Sequence, residues 1–240
     1  MAAKPIAMFG ALYRKQMREM MPEMAVIAGV AIIMSLVLYI KMGSILTAVL
    51  IAMLMVMGLA SFLPIVSSFR LGQEWNNQTI YLMMSLPVGG GMILGSRLAG
   101  LLTQYLFGTL IVGVCGILLV IGLFPQPFND YLQAMLPYWD IAILLYLLTV
   151  AGIAYLISIC FFSQIIGKLV NRFSGLVTFI TFFFTLWLSG KVMNSIGGQA
   201  FVGFQEPTAL MLGMLLGLIT LVAAVILALG IVIYDHRVEL

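Results

Sequence analysis

The stretch SFRLGQEWNNQTIYLMMSLPVGGGMILGSRLAG, Ser68–Gly100, is the longest charged and polar interruption in a chain that otherwise reads almost as hydrocarbon. Long apolar runs flank it on both sides, and their nature limits what the interruption can be. Of 240 residues, 63% are apolar and 8% charged, where a soluble domain carries roughly a quarter charged. Mean hydropathy is +1.19. A water-soluble fold cannot hide that much apolar side chain, because much of it would remain on the surface. The composition is that of a polytopic membrane protein, and no gap between apolar runs is long enough to build a soluble domain. A net charge of +3 is too small to point to nucleic acid.

A span needs roughly 20 apolar residues to cross about 30 Å of hydrocarbon. Six runs qualify: Met24–Ile40, Ile45–Ser67, Leu98–Leu123, Ile141–Phe162, Leu176–Ser189 with an extension at one end, and Ala209–Tyr234. Backbone groups in lipid must be satisfied internally, so these runs are expected to be helices, and the alternation of a membrane β-barrel is absent. The expected fold is an all-α membrane protein with six transmembrane helices in a single domain, residues 1–240. Lys and Arg placement orients it. With the amino terminus inside, inner segments hold Lys4, Arg14, Lys15, Arg18, Arg70, Arg97, Lys168, Arg172 and Arg237, and outer loops hold only Lys41 and Lys191. The expectation is a multi-pass plasma-membrane protein with both termini cytoplasmic. The start, MAAKPIAMFGALYRKQMREMMPEMAV, lacks the short basic region and small-residue cleavage site of a signal peptide, so the mature chain is expected to begin near Met1.

Two further segments carry signals of their own. In Ile6–Met21, the residues Ile6, Phe9, Tyr13, Met17 and Met20 recur at helical spacing opposite Arg14, Lys15, Arg18 and Glu19. That pattern predicts an interfacial helix on the inner leaflet within residues 1–23. GKVMNSIGGQAFVGFQEP, Gly190–Pro207, is apolar but broken by glycines, which favours a re-entrant or surface-lying outer element over a plain loop.

Ionisable chemistry is sparse. The acidic and basic residues fall outside the hydrocarbon centres, and the single His236 sits in the tail. Coupled transporters, voltage sensors and intramembrane enzymes place such groups at membrane depth, and no Ser–His or Cys–His constellation is available. Cys115 and Cys160 lie in apolar runs without metal-ligand spacing and read as packing residues. The expectation is a chain that is not itself an enzyme and holds no cofactor or metal.

Within the opening stretch, Gly90–Gly95 has phosphate-loop spacing, but Ser96 and Arg97 follow where Lys and Ser/Thr are needed, and the flanks are membrane spans. Asn77-Gln78-Thr79 has the glycosylation pattern but falls on the inner side. Gly89–Gly91 read as a flexible joint. A short helix is expected over about Asn77–Ser85, stopped by Pro87, with Ile80, Met83 and Met84 on one face and Leu82 and Leu86 widening it. Such a helix is either a docking element for another protein or for the membrane surface, or an interfacial helix without a partner.

EWNNQTIYLMMSLPV resembles the motif that follows the second span in permeases of the type-2 ABC exporter family. The likeness lies in Glu74, Thr79, Leu82, Leu86, Pro87 and Val88. Length, span number, the amphipathic start and the apolar insertion before the last span also agree. Gln78 stands where that family prefers glycine, and Gly89-Gly90 replace its Ser-Arg pair. The resemblance implies a cytoplasmic coupling helix in segment 68–97, with Glu74, Thr79, Ile80, Leu82, Met83, Met84, Leu86 and Pro87 docking a separate cytosolic ATPase that carries ATP and Mg. It also implies pairing with a second permease subunit, identical or similar, and export of a hydrophobic or amphipathic substrate such as a peptide, lipidic compound or drug. A self-contained channel or facilitator, and an assembly scaffold without transport, are the alternatives.

In the fifth run, Ser174, Thr178, Thr181, Thr185 and Ser189 fall on one narrow helical face. Such a stripe either hydrogen-bonds between helices or lines a cavity. The resemblance favours a translocation path, because it puts the second and fifth spans along the subunit interface.

The orientation is directly testable. With Cys115 and Cys160 replaced, cysteines at Asn129 and Gly198 should react with a membrane-impermeant thiol reagent on intact cells, and one at Asn76 should not. Labelling at position 76 from outside would invert the topology.

Overall fold

A computed structural model describes residues 5–41, 46–71, 89–123, 130, 133, 136–170, 173–201 and 209–237. Among these, six helices are long and apolar enough to cross a membrane. They are α1 (Pro5–Lys41), α2 (Leu46–Ser68), α3 (Gly90–Leu123), α4 (Trp139–Leu169), α5 (Ser174–Phe201) and α6 (Ala209–Arg237), with a 3-10 turn at Leu136–Tyr138 leading into α4. Large apolar side chains stand outward on all of them, Ile33, Leu54, Leu118, Phe179 and Leu221 among them. An outer surface this apolar is what lipid requires.

Consecutive helices alternate in direction. α1 and α3 run parallel, and glycines on α3 set their distance: Gly95 faces Phe9, Gly100 faces Gln16, Gly108 faces Ile27 and Gly122 faces Tyr39. Small residues let membrane helices approach closely where no water drives them together. α2 runs opposite, placing Ala60 at Gly108 and Met53 at Gly116. α4 packs most extensively on α6, and Gly230 of α6 admits Ile165 and Phe162. The start of α3 meets the end of α6, where Asp235 Oδ1 accepts from the Gly90 N–H at 2.8 Å. That carboxylate caps an orphan amide of the first turn and suits the positive end of the helix dipole. A Cβ at Gly90 would collide with the Tyr234 ring, so only glycine allows this junction.

Both described termini therefore lie at one end of the bundle, the end that collects Arg14, Lys15, Arg18, Arg70, Arg97 and Lys168. The largest core cluster lies toward this end too, joining Met20, Leu71, Leu94, Leu101, Ile157, Phe161 and Tyr234. Two smaller clusters continue along α1, α2 and α3, around Ile27, Ala60 and Val112 and around Leu38, Val49 and Leu119.

Four local expectations differ from the structure. The amphipathic segment Ile6–Met21 is not a separate helix, since α1 continues unbroken through Pro22. Proline supplies a helix-compatible φ and removes one backbone bond, which is tolerable where neighbouring helices support the chain. Its inward side faces α3 rather than lying free on a membrane surface. Met20 is buried and Tyr13 OH meets Thr103 Oγ1 at 2.9 Å, while Arg14, Lys15, Arg18 and Glu19 stay exposed. Gly90 and Gly91 are not a flexible joint but the first turn of α3, for the capping reason above. No separate re-entrant element begins at Gly190, because α5 continues to Phe201; residues 202–207 lie outside the described residues. The fifth span, expected to extend Leu176–Ser189 at one end, extends it at both.

Candidate functional site

The expected docking residues Glu74, Thr79, Ile80, Leu82, Met83, Met84, Leu86 and Pro87 lie outside the described residues. Both borders of their segment are described, and both are tied down. On one side stands Arg70, ion-paired with Glu23 of α1. On the other stands Gly90, held by Asp235 of α6.

Glu23 does more than hold Arg70. Its Oε2 accepts from Ser67 Oγ of α2 at 2.6 Å and from Gln104 Nε2 of α3 at 2.8 Å. One carboxylate thus joins three helices. Its side chain is 13% exposed, against 47% for Arg70, and Gln104 is fully buried. A carboxylate removed from water is costly unless paired and hydrogen-bonded, and here Ser67, Gln104 and Arg70 all present donors to it. Next to this cluster, Gln164 Nε2 of α4 donates to the Ser68 and Cys160 carbonyls, each at 3.1 Å, which brings α4 to the end of α2. Arg97 is also buried, 4% exposed. Scanning the sequence for charge at span centres missed this arrangement, because Glu23 and Arg97 sit at run ends. Gln104 and Gln164, amides inside or beside apolar runs, were the available signal.

The hydroxyl stripe is on α5, and it faces the bundle. Ser174, Thr178, Thr181 and Thr185 are half-buried and Ser189 is 7% exposed, while Phe179, Phe183, Phe184 and Trp187 are the more exposed residues of the same helix. The five do not line one continuous space. Ser174 and Thr178 lie where α4 comes closest, since a Cβ on Gly167 would collide with Thr178 Oγ1. They border a cleft of about 900 Å³ between α2, α4 and α5. Thr181, Thr185 and Ser189 border a separate, almost wholly apolar cleft of about 580 Å³ between α4, α5 and α6. The Thr178 and Ser189 hydroxyls both have partners among the described residues. Thr178 Oγ1 donates to the Ser174 carbonyl at 2.8 Å and Ser189 Oγ to the Thr185 carbonyl at 2.6 Å. Ser189 also pairs with Tyr155 OH of α4 at 2.5 Å. Back-bonding of this kind satisfies a hydroxyl in lipid, and the Tyr155 contact fastens α5 to α4.

No protein-family model, curated protein or solved structure matches the chain. The chain is a multi-pass membrane protein.

Replacing Glu23 tests the polar clamp. Glu23→Leu strips the acceptor from Gln104 and Ser67. Hydrogen bonds to charged groups are worth about 1.5–3 kcal/mol each, so the expected loss is about 3–6 kcal/mol. Half-exposed Arg70 resolvates and adds little. Glu19→Leu, at the exposed Lys15–Glu19 pair 3.8 Å apart, should change stability by less than about 0.5 kcal/mol. Unfolding of the purified protein in detergent reads both, and equal effects would remove the clamp from the account.

Proposed function

We propose that this chain is the transmembrane permease subunit of an ATP-driven exporter of the type-2 ABC kind, working with a separate cytosolic ATPase and a second permease subunit. The observation that carries the reading is the segment between α2 and α3. It bears the EWNNQTIYLMMSLPV motif and leaves and re-enters at the basic end of the bundle, which the charge rule makes cytosolic. Its two borders are anchored to different helices, Arg70 to α1 and Gly90 to α6. A surface element that receives work from a partner needs such firm attachment. In this reading the chain catalyses nothing itself, and ATP and Mg belong to the partner.

Docking then rests on the apolar face of Ile80, Met83 and Met84, with Glu74 near the helix start, where an acid also favours the helix dipole. Glu74→Lys, or Met83→Asp with Met84→Asp, should lower co-purification of the ATPase about tenfold or more, the scale of losing one interface hot spot. The permease should still insert. Unchanged pull-down of the ATPase means that the segment does not dock.

The substrate path is proposed along the hydroxyl stripe, Ser174, Thr178, Thr181, Thr185 and Ser189. The two clefts that these residues border in the single chain would join at the interface with the second subunit. Replacing Thr178, Thr181 and Thr185 together by valine should change transport or substrate-stimulated ATP hydrolysis while the complex still assembles. Stability should fall only slightly, since an interhelical hydrogen bond in a membrane averages about 0.6 kcal/mol. Failed assembly, with normal transport in whatever complex survives, would make the stripe a packing seam instead.

A further inference from the structure

The cleft between α2, α4 and α5 has a polarity gradient along the bundle axis. Lys168 in the last turn of α4 and Ser174 in the first turn of α5 stand at its basic end. Phe62 of α2 and Phe182 and Phe183 of α5 lie further from that end, the α5 rings about 12–13 Å beyond Ser174 at 1.5 Å per residue. Phe179 and Phe183 meet at 4.7 Å with their planes tilted by 55°, and Phe182 meets Phe183 edge-on at 5.5 Å. These rings make an aromatic wall. Phe69 and Phe182 approach across the opening at 6.5 Å, but α2 and α5 otherwise scarcely touch. An opening of about 900 Å³ between these three helices leaves the rings short of the contacts that a close-packed interior provides. Among the described residues, Lys168 is the charged side chain that borders it.

We propose that this cleft binds an acidic phospholipid of the leaflet at the basic end, its phosphate at Lys168 and Ser174 and an acyl chain along the phenylalanine wall. The gradient has the order and direction of a lipid in that leaflet, with charge at the bundle end and hydrocarbon running inward along the helices. Cationic side chains near a membrane surface select anionic headgroups. A zwitterionic lipid fills the apolar part equally well but gains less at Lys168. The proposal does not depend on the transport reading.

The test places a single tryptophan in the cleft, Phe179→Trp with Trp75, Trp139 and Trp187 replaced by phenylalanine, in the full-length protein reconstituted in phosphatidylcholine vesicles. A second protein carries its tryptophan at Val232→Trp, an exposed position on α6 near the same end. Brominated phosphatidylglycerol should quench the cleft reporter with about fivefold preference over brominated phosphatidylcholine, the discrimination that one cation at an anionic surface supplies. The Val232 reporter should show little preference. Lys168→Met should abolish the preference at the cleft, and Lys168→Arg should keep it. Should Lys168→Met fail to fold, the two reporters alone still decide. Equal preference at both positions would reduce the effect to general attraction toward a basic surface and overturn the site. Absence of preference at Phe179→Trp would overturn it too, and displacement of the lipid by inorganic phosphate would make it a site for soluble anions.

Discussion

The Glu23 carboxylate is the contact on which the first half of the bundle depends. Lipid offers helices no hydrophobic reason to associate, so close packing and polar ties must hold them together. The seam between α1 and α3 uses glycines for the first, and Glu23 supplies the second. It takes donors from α2 and α3 and an ion pair from Arg70, so three helices share one acceptor group. A carboxylate in such a place has a sign-dependent effect. With its donors present it fixes the register of three helices at once, and with any of them missing its desolvation goes uncompensated. Gln164 extends the arrangement to α4 through the Ser68 carbonyl. The polar ties thus gather toward one end of the molecule, where the largest core cluster also lies.

The spans were legible in the sequence because the bilayer leaves the backbone one solution over any long apolar run. Among the described residues all six runs are helical, and the described cations gather toward the two ends of the bundle. Continuity was not legible. The helix runs on through Gly190, and Gly90 opens α3 where a flexible joint was expected. Gly90 is held by Asp235, 145 positions away in the chain, a pairing beyond the reach of local pattern. The amphipathic face of Ile6–Met21 was legible as a face, while its neighbour was not, since α3 and a membrane surface ask for the same apolar stripe. Of the candidate site residues, those of the α5 stripe form the less exposed side of that helix. The division of the stripe between two clefts depends on where α4 approaches, and that is set by Gly167 on another helix.

α5 stands apart from this framework. Its spanning part is the least buried of the six, 11% of the window within the bundle, and its firm contacts are with α4 at Thr178 and Ser189. Much of its aromatic surface therefore faces outward, toward lipid or another subunit. The two clefts flank it because it leans on α4 without closing against α2 or α6. A helix attached along one seam can shift relative to its neighbours at the cost of few contacts, whereas α1 and α3 cannot move apart without unmaking the glycine seam and the Glu23 clamp together.

That contrast gives the proposed coupling segment a mechanical logic. Its entry is fixed to α1 through Arg70 and Glu23, and its exit to α6 through Gly90 and Asp235. α1 belongs to the three-helix group with α2 and α3, while α6 packs on α4. A displacement of the segment by a partner would thus be delivered to both groups at once. The exit junction is the stiffer of the two, because a hydrogen bond to a backbone amide and the absence of room for a Cβ at Gly90 fix α3 against α6, whereas the half-exposed Arg70 can slide on its carboxylate. Force on the segment would then fall on the end of α2 at Phe69 and Arg70, beyond the Ser67 tie to Glu23, against a fixed α3–α6 junction. α2 forms one wall of the larger cleft beside α5, so movement of that end changes the width of the cleft lined by Lys168, Ser174 and Thr178.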